Sequence, residues 1–275
     1  MAASTSTSEA ATRSAAFFDL DKTLMAGSSG MPFARAAARH GIVNRRQLGR
    51  WALDHLRYRL RGATDEETAD VLKVARELLT DVSAREIDRM GPEVMAAILP
   101  RIYPQMLDEV HAHQDAGRST FIVSAAGNDL VRSLAGVLQM EGGIGTRYEV
   151  GADGAFTGRL EGPFVYGPGK VEAMERFASE HGIDLTASYA YSDSSSDLPM
   201  LRAVGNPVVV NPDSGLAEIA KREGWQILRF ERLGRRLAIG GATILAAALG
   251  WGSRELASRR RAGARRLALR GARRR

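Results

Sequence analysis

Two carboxylic acids stand one residue apart directly after an apolar stretch near the start of the chain. Asp19 and Asp21 follow residues 15–18, which read Ala-Ala-Phe-Phe. This pattern predicts a buried strand whose carboxyl end opens into a loop, where ligands of open α/β sheets bind. Residues two apart on an extended backbone point the same way, so both carboxylates are expected to face one reacting group. The alternative interpretation is a solvated acidic pair at a strand end.

Two carboxylates this close repel each other unless a cation neutralises them. Mg²⁺ prefers oxygen ligands and takes one or two carboxylates together with phosphate. The two acids can then have different roles. Asp19 can attack phosphorus and become an aspartyl-phosphate, whereas Asp21 can protonate the leaving alcohol and later deprotonate the attacking water.

A serine and a lysine occupy comparable places further along the chain. Ser124 follows the apolar residues 121–123 and precedes a predicted helix, where its hydroxyl can hold a phosphate oxygen. The pattern of a hydrolase nucleophile elbow needs Gly two residues earlier, and Ile122 stands there instead. Lys170 lies in the first turn of a predicted helix, after a Gly-Pro-Gly that lets the backbone approach closely. An ordinary surface lysine is the alternative interpretation.

Two more carboxylates follow a third apolar strand, predicted over residues 187–191. Asp193 comes directly after the strand and is suited to bind a metal ion. Asp197 begins a helix that carries Pro199 in its first turn. Its alternative role is that of a helix cap.

The elements that must position these residues are strands alternating with helices. We predict strands at residues 15–18, 121–123, 187–191, 206–210 and 225–228, and a β-hairpin over 147–160. Such alternation favours an α/β fold with a doubly wound parallel sheet. Residues 31–116 show helical patterns only, with helix starts at Asn44 and capping boxes at Thr64 and Ser83. They predict a helical cap inserted between the first two strands.

We therefore expect a catalytic core formed by residues 15–30 and 117–228, with the cap at 31–116. Residues 1–14 are rich in Ser, Thr and Ala and lack the pattern of a signal peptide, so we expect a disordered start and a cytoplasmic protein. The chain of 275 residues contains no cysteine, which excludes disulfides, thiol nucleophiles and thiolate zinc sites. Its five histidines are scattered and do not suggest a metal site.

In this order and context, the motifs closely resemble those of the haloacid dehalogenase superfamily. Asp19-Leu20-Asp21-Lys22-Thr23 matches the first motif, DxDxT, and the second, third and fourth motifs are matched by the residues Ser124, Lys170 and the pair Asp193 and Asp197. A helical insertion directly after the first motif resembles the phosphoserine phosphatase-like branch. The resemblance covers residues 15–228.

The resemblance implies a phosphatase of small phosphate monoesters that uses Mg²⁺ and an aspartyl-phosphate. It implies that Asp19 is the nucleophile and Asp21 the acid/base, and that Mg²⁺ is bound by Asp19, the Asp21 backbone carbonyl and Asp193. It also implies that Ser124 and Lys170 hold phosphoryl oxygens and that Asp197 orients Lys170. Members of this branch often carry Gly and Asn where Ser192 and Ser196 stand here, which weakens the case for phosphoserine itself. The substrate is expected to be a small phosphorylated metabolite or a lysophospholipid. A phosphotransferase of the same fold and a weakly catalytic, membrane-associated binding protein are the alternatives.

The end of the chain is strongly basic. Residues 229–275 contain 14 Arg, no Lys and two Glu, so they carry +12 and leave −6 for the remainder of a chain whose total is +6. The uncharged segment 237–251 is shorter than the roughly 20 residues that a spanning helix needs. We expect this tail to bind an anionic membrane surface peripherally, at the inner face of the cell membrane. A docked helix with a disordered basic end is the alternative, and nucleic acid is the least favoured partner, since no nucleic-acid-binding motif is present.

Overall fold

A six-stranded parallel sheet forms the centre of the molecule. The computed structural model describes residues 13–43, 76 and 79–230. The strands are β1 (Ala15–Asp19), β2 (Ser119–Gly127), β3 (Gly142–Thr146), β6 (Tyr189–Ser192), β7 (Asn206–Val210) and β8 (Gln226–Leu228), in the spatial order β3-β2-β1-β6-β7-β8. All neighbouring pairs of this sheet are parallel. The predicted doubly wound α/β fold is thereby confirmed.

Helices connect and flank the strands. They are α1 (Gly30–Arg39), α2 (Ala84–Ile98), α3 (Pro104–Asp115), α4 (Asn128–Val137), α5 (Pro168–His181), α6 (Leu198–Arg202) and α7 (Ser214–Glu223). Short 3₁₀ segments occupy Leu99–Arg101, Leu185–Ala187 and Ser195–Asp197. No helix among these described residues is long and apolar enough to cross a membrane.

The central strand β1 is completely buried because helices cover both faces of the sheet. Phe17 faces α5 and stacks on Phe121, with ring centroids 5.7 Å apart. Phe18 faces the opposite side and stacks on Tyr191 at 4.5 Å. Burial of each such ring contributes about 1.5–3 kcal/mol to folding. Asp19, which follows Phe18 at the carboxyl end of β1, is therefore attached to a strand that is packed on both faces.

The face of the sheet that carries Phe18 also holds a hydrogen-bonded network of four side chains, two of which come from α3. Arg118 Nε donates to His113 Nδ1 over 2.6 Å. That contact assigns the proton of the ring to Nε2, which lies 2.8 Å from the hydroxyl of Tyr191. Tyr191 in turn donates to Glu109 over 3.0 Å. Helix α3 falls inside the range predicted for the cap, yet it packs against the central sheet, a difference that helical periodicity alone does not reveal.

The sequence did not predict strand β3, whose residues read Gly-Gly-Ile-Gly-Thr. Apolar periodicity misses it because Ile144 is its one large apolar side chain. Two of the three glycines are required by the close approach of α4. A Cβ on Gly143 would lie 2.6 Å from the Val131 side chain, and one on Gly145 would lie 2.6 Å from the Asn128 backbone.

Other elements lie near their predicted positions with small corrections. Strand β6 begins at Tyr189 rather than 187, because Leu185–Ala187 forms a 3₁₀ turn. Asn128 does not cap its helix; it is the first helical residue, and its side chain accepts from the Gly145 N–H over 3.2 Å. Ser83 is the N-cap of α2, but its side chain makes no capping hydrogen bond. The helix starts predicted at Asn44 and Thr64 lie outside the described residues, and the domain boundaries stay predictions.

A predicted hairpin is formed by the antiparallel strands β4 (Tyr148–Val150) and β5 (Phe156–Leu160). It is also paired with the chain that leads into α2. Asp81 N–H donates to the Phe156 carbonyl and Phe156 N–H donates to the Val82 carbonyl, over 3.0 and 2.9 Å. Main-chain bonds therefore join the hairpin to the start of α2.

Candidate active site

The chain turns sharply after β1 and does not continue as a strand through both acids. The strand ends at Asp19, whose carbonyl accepts from the Leu24 N–H over 3.2 Å, and Lys22 adopts a left-handed φ of 60°. Asp21 forms an isolated bridge with Met25, and the expectation that both carboxylates face one reacting group stays a prediction. The loop that positions Asp21 is closed by main-chain bonds from the Leu24 N–H to Asp19 and from the Met25 N–H to Leu20.

Asp19 is buried between a cation and a hydroxyl. Its Oδ1 lies 2.5 Å from Lys170 Nζ, and its Oδ2 accepts from Thr23 Oγ1 over 3.0 Å. Burial raises the pKa of Asp19 to about 7; Lys170 opposes this shift, whereas the nearby Asp197 and Asp193 carboxylates add to it. Additional positive charge near this carboxyl would therefore favour its ionised form.

Lys170 is 3% exposed and bridges two carboxylates. Besides its bond to Asp19, its Nζ donates to Asp197 Oδ2 over 2.7 Å. Burial acts to lower the pKa of Lys170, but the two carboxylates outweigh burial and raise it, so the side chain is a permanent cation. The tight loop before it needs Gly169, since a Cβ there would lie 2.0 Å from the Phe164 carbonyl oxygen. The inward-pointing ammonium is thus the product of the Gly-Pro-Gly approach.

Asp197 is almost completely buried and has a second partner besides Lys170. Ser192 Oγ donates to its Oδ2 over 2.7 Å, and the same hydroxyl accepts from the Ser194 N–H over 3.2 Å. Asp197 lies at the end of a 3₁₀ turn, directly before α6, and its side chain makes no capping bond. Asp197 thus occupies the N-cap position of α6 without capping it, and its carboxylate is held toward the ammonium.

Asp193 and Asp19 both hydrogen-bond to the hydroxyl of Thr23. The backbone N–H of Asp193 donates to Thr23 Oγ1 over 3.0 Å, and its Oδ1 lies 3.5 Å from that hydroxyl. Burial raises the pKa of Asp193 to about 6, although the Lys22 ammonium, 3.7 Å from Oδ2, acts to lower it. Thr23 thus ties the loop after β1 to the loop after β6.

Ser124 and Asp21 complete the set of residues expected from the sequence. Ser124 lies one position past Val123, which pairs with Asp19, and its Oγ accepts from the Ala126 N–H over 3.2 Å. Strand β2 continues to Gly127, so Ser124 lies within the strand and not after it. Asp21 accepts from Ser28 Oγ over 2.8 Å and from the Ser29 N–H over 2.9 Å.

The donor set fits a hard divalent cation. Asp19, Asp193 and Asp197 are three carboxylates in a site whose buried cation is the single ammonium of Lys170. An ion of charge +2 would balance them, and it would favour the ionised forms of Asp19 and Asp193, whose pKa values are raised by burial and by neighbouring carboxylates. No three His, Cys, Asp or Glu side chains converge on one point within residues 13–43 and 79–230. Mg²⁺ does not need such a convergence, since it takes one or two carboxylates and keeps several waters.

Sequence reasoning assigned no role to three side chains that the structure brings into the site: Thr23, Ser28 and Ser192. Thr23 belongs to the DxDxT motif, and its place there is the available signal. Ser192 was noted as a departure from the family pattern, and the structure shows that it bonds to Asp197. Ser28 had no signal beyond its place just before a helix.

Known proteins resemble this chain over most of its length. Residues 16–202 match the family of haloacid dehalogenase-like hydrolases. The chain is 37% identical over 253 residues to phosphoserine phosphatase SerB1 of Mycobacterium tuberculosis, covering 90% of this chain and 80% of that protein. It is 32% identical over 220 residues to a histidinol-phosphatase of Neisseria meningitidis, covering 78% and 98%.

The fold resembles solved phosphatase structures. A substrate-bound phosphoserine phosphatase superposes with a TM-score of 0.58 at 20% identity, over 82% of this chain and 98% of that one. The chain therefore belongs to the haloacid dehalogenase-like hydrolases. It is a phosphatase of that family.

Proposed function

We propose that the chain hydrolyses a small phosphate monoester, with Mg²⁺, through an aspartyl-phosphate on Asp19. The observation that carries this proposal is the placement of Asp19. It is 7% exposed, at the carboxyl end of the central strand, and its two oxygens are held by Lys170 and Thr23. A carboxylate fixed in this way is oriented for attack and shielded from bulk water.

The proposed reaction has two displacements. In the first, a carboxylate oxygen of Asp19 forms a bond to phosphorus, the bond from phosphorus to the alcohol oxygen breaks, and Asp21 gives its proton to that oxygen. In the second, Asp21 takes a proton from water, the water oxygen binds phosphorus, and the bond to Asp19 breaks to release phosphate. The Asp19 carboxylate and the Asp21 carboxyl group are thereby restored.

The remaining side chains stabilise the transferring group. An ammonium has three N–H donors, and Lys170 uses two of them on Asp19 and Asp197, which leaves one for a phosphoryl oxygen. Ser124 offers a hydroxyl beside the same strand end. Asp19, Asp193 and the Asp21 backbone carbonyl would hold Mg²⁺, which when bound neutralises negative charge on the phosphoryl group. Asp197, fixed by Ser192, keeps Lys170 directed inward.

The names of the relatives suggest a substrate class. One is a phosphoserine phosphatase and another a histidinol-phosphatase. Phosphoserine and histidinol phosphate are both phosphate esters of a primary alcohol with an amine on the neighbouring carbon. We propose this class, which a panel of phosphoserine, histidinol phosphate, 3-phosphoglycerate and lysophosphatidate tests. 3-Phosphoglycerate is the matched control because a hydroxyl replaces the amine of phosphoserine.

The decisive experiment compares wild type with Asp19→Asn. We expect the variant to lose at least about 10³-fold in kcat and to form no acid-stable phosphoenzyme, because an amide does not attack phosphorus. Phosphate release and the mass of the peptide containing residue 19 are measured with and without Mg²⁺. Asp115→Asn, an exposed substitution at the end of α3, is the control and retains activity. Near wild-type turnover by Asp19→Asn would rule out the covalent mechanism.

We also propose that the basic segment 229–275 holds the enzyme at an anionic membrane surface. Its charge of +12 supports this, since each Arg near such a surface contributes about 1 kcal/mol. Residues 231–275 lie outside the described part of the chain, so the proposal rests on the sequence.

A further inference from the structure

Asp21 is held in a different way from the other acids of the site. Its Oδ2 accepts from the Ser28 hydroxyl over 2.8 Å and its Oδ1 accepts from the Ser29 N–H over 2.9 Å. Among the described residues it has no salt-bridge partner, whereas Asp19, Asp193 and Asp197 each lie within 4 Å of a lysine. The orientation of Asp21 therefore depends on neutral donors from one short segment.

The Ser28 hydroxyl joins Asp21 to the beginning of α1. Its oxygen accepts from the N–H of Gly30, the first residue of that helix, over 3.2 Å. Because a hydroxyl has one hydrogen, that hydrogen is used entirely on Asp21. Ser29 is buried at the N-cap position of α1, so the segment that carries both donors is anchored.

Two donors on two different oxygens fix the plane of the Asp21 carboxyl group. Each oxygen has two lone pairs, so one on each oxygen stays free to carry the acidic proton. The donors thus determine the direction in which that proton is presented without blocking it. A general acid works only when its proton points at the leaving oxygen.

We propose that Ser28 is the positioning residue for Asp21, and that its hydroxyl sets the direction of proton transfer to the leaving alcohol. This assignment rests on the proposed function, because it presupposes that Asp21 is the acid. Ser28 acts through Asp21 and not on the phosphoryl group, and that difference makes the proposal testable.

The test uses esters of similar size whose leaving groups need a proton to different degrees: 4-nitrophenyl, phenyl and benzyl phosphate. 4-Nitrophenolate is a stable anion and leaves without a proton, whereas the benzyl alkoxide must be protonated as it leaves. The measured quantity is kcat/KM, which covers only the steps up to departure of the alcohol. For Ser28→Ala we expect a loss of about 10- to 100-fold with benzyl phosphate, a smaller loss with phenyl phosphate, and less than about threefold with 4-nitrophenyl phosphate.

Three variants serve as references. Ser28→Thr keeps the hydroxyl and is expected to recover most of the benzyl phosphate activity. Ser133→Ala makes the same chemical change at an exposed position on α4 and is expected to leave all three esters unaffected. Asp21→Asn removes the acid itself and should show the same dependence on the leaving group as Ser28→Ala, with a larger loss.

The outcomes separate the assignment from the proposed function. If Ser28→Ala lost nothing, or lost equally with all three esters while Asp21→Asn showed the ester-dependent loss, the assignment would be wrong and the phosphatase mechanism would stand. If Asp21→Asn lost equally with all three esters, Asp21 would not be the acid, and the role of Ser28 would fall with it. An ester-dependent loss that Ser28→Thr reverses establishes the assignment.

Discussion

Lys170 Nζ lies 2.5 Å from Asp19 Oδ1, although the two residues are 151 positions apart in the chain. Both side chains are nearly inaccessible to water, and the same ammonium bonds to Asp197. The contact joins the first strand of the sheet to the first turn of α5. The site therefore exists only when the central sheet and α5 have packed together.

Lys170→Met should damage both stability and turnover. Removing one partner of a buried ion pair leaves an uncompensated charge and costs about 3–5 kcal/mol. Here two carboxylates lose their shared partner. We expect the free energy of unfolding in urea to fall by that amount and kcat to fall at least about 100-fold. Lys221→Met, at an exposed position on α7, is the control, and a Lys170→Met protein as stable as wild type would contradict the bridging role.

Asp193→Asn should weaken the response to Mg²⁺. Few other protein oxygens near Asp19 can replace the lost ligand, so we expect at least about tenfold more Mg²⁺ for half-maximal activity. The measurement is a Mg²⁺ titration of phosphate release after treatment with EDTA, with Asp115→Asn as the matched change. An unchanged midpoint would exclude Asp193 from the metal site.

The buried His113 should make the protein less stable in acid. Burial, aided by the neighbouring Arg118, lowers the pKa of His113 to about 4, whereas the unfolded chain titrates near 6.5. Between these values the unfolded state binds a proton that the folded state does not. The free energy of unfolding is therefore unaffected by this group above pH 6.5. As the pH drops toward 4, protonation of the unfolded state lowers the free energy of unfolding by roughly 3 kcal/mol.

The measurement is urea unfolding at several pH values between 7 and 4. His113→Gln can still accept from Arg118 and donate to Tyr191, but it does not titrate, so its stability should change less over this range. His111→Gln, exposed on the same helix, should behave as wild type. The remaining groups around the ring, Glu109 and Tyr189, are present in all three proteins. Equal pH dependence of wild type and His113→Gln would show that the ring is not the titrating group.

Deletion of the chain after Phe230 should leave an active phosphatase. The sheet and all six residues expected from the sequence lie before that point, and the deleted part carries nearly all of the +12 charge of 229–275. Co-sedimentation with anionic vesicles should be lost on deletion, and in the full chain it should weaken with salt because screening acts over roughly 8–10 Å. Affinity that survives high salt would indicate insertion of 237–251. If the full chain stayed in the supernatant at low salt, the membrane proposal would fail.

The sequence was sufficient for the parts of the fold that carry strong apolar patterns. Strands β1 and β7 lie within a residue of their predicted positions, because buried Phe and Val mark them, and Lys170 lies in the first turn of a helix as predicted, because a Gly-Pro start marks α5. Strand β3 could not be found in this way, since Gly143 and Gly145 reflect contact with α4, which only the packed structure defines.

The contacts of the candidate site were likewise predictable only in part. Asp19, Lys170 and Asp197 are brought together as expected, because each follows a strand or opens a helix at one edge of the sheet. The bond between Ser28 and Asp21 could not be foreseen. It depends on the turn after Asp19, and a left-handed residue such as Lys22 gives no reliable signal in a sequence.

The main-chain pairing between the hairpin and the start of α2 has an evolutionary consequence. Bonds among Asp81, Val82 and Phe156 use backbone groups, which almost any substitution retains. The side chains at these three positions can therefore be substituted while the main-chain bonds between the hairpin and α2 are kept. Substitutions elsewhere in α2 and in the hairpin can then accumulate in a lineage of such enzymes while this attachment stays fixed.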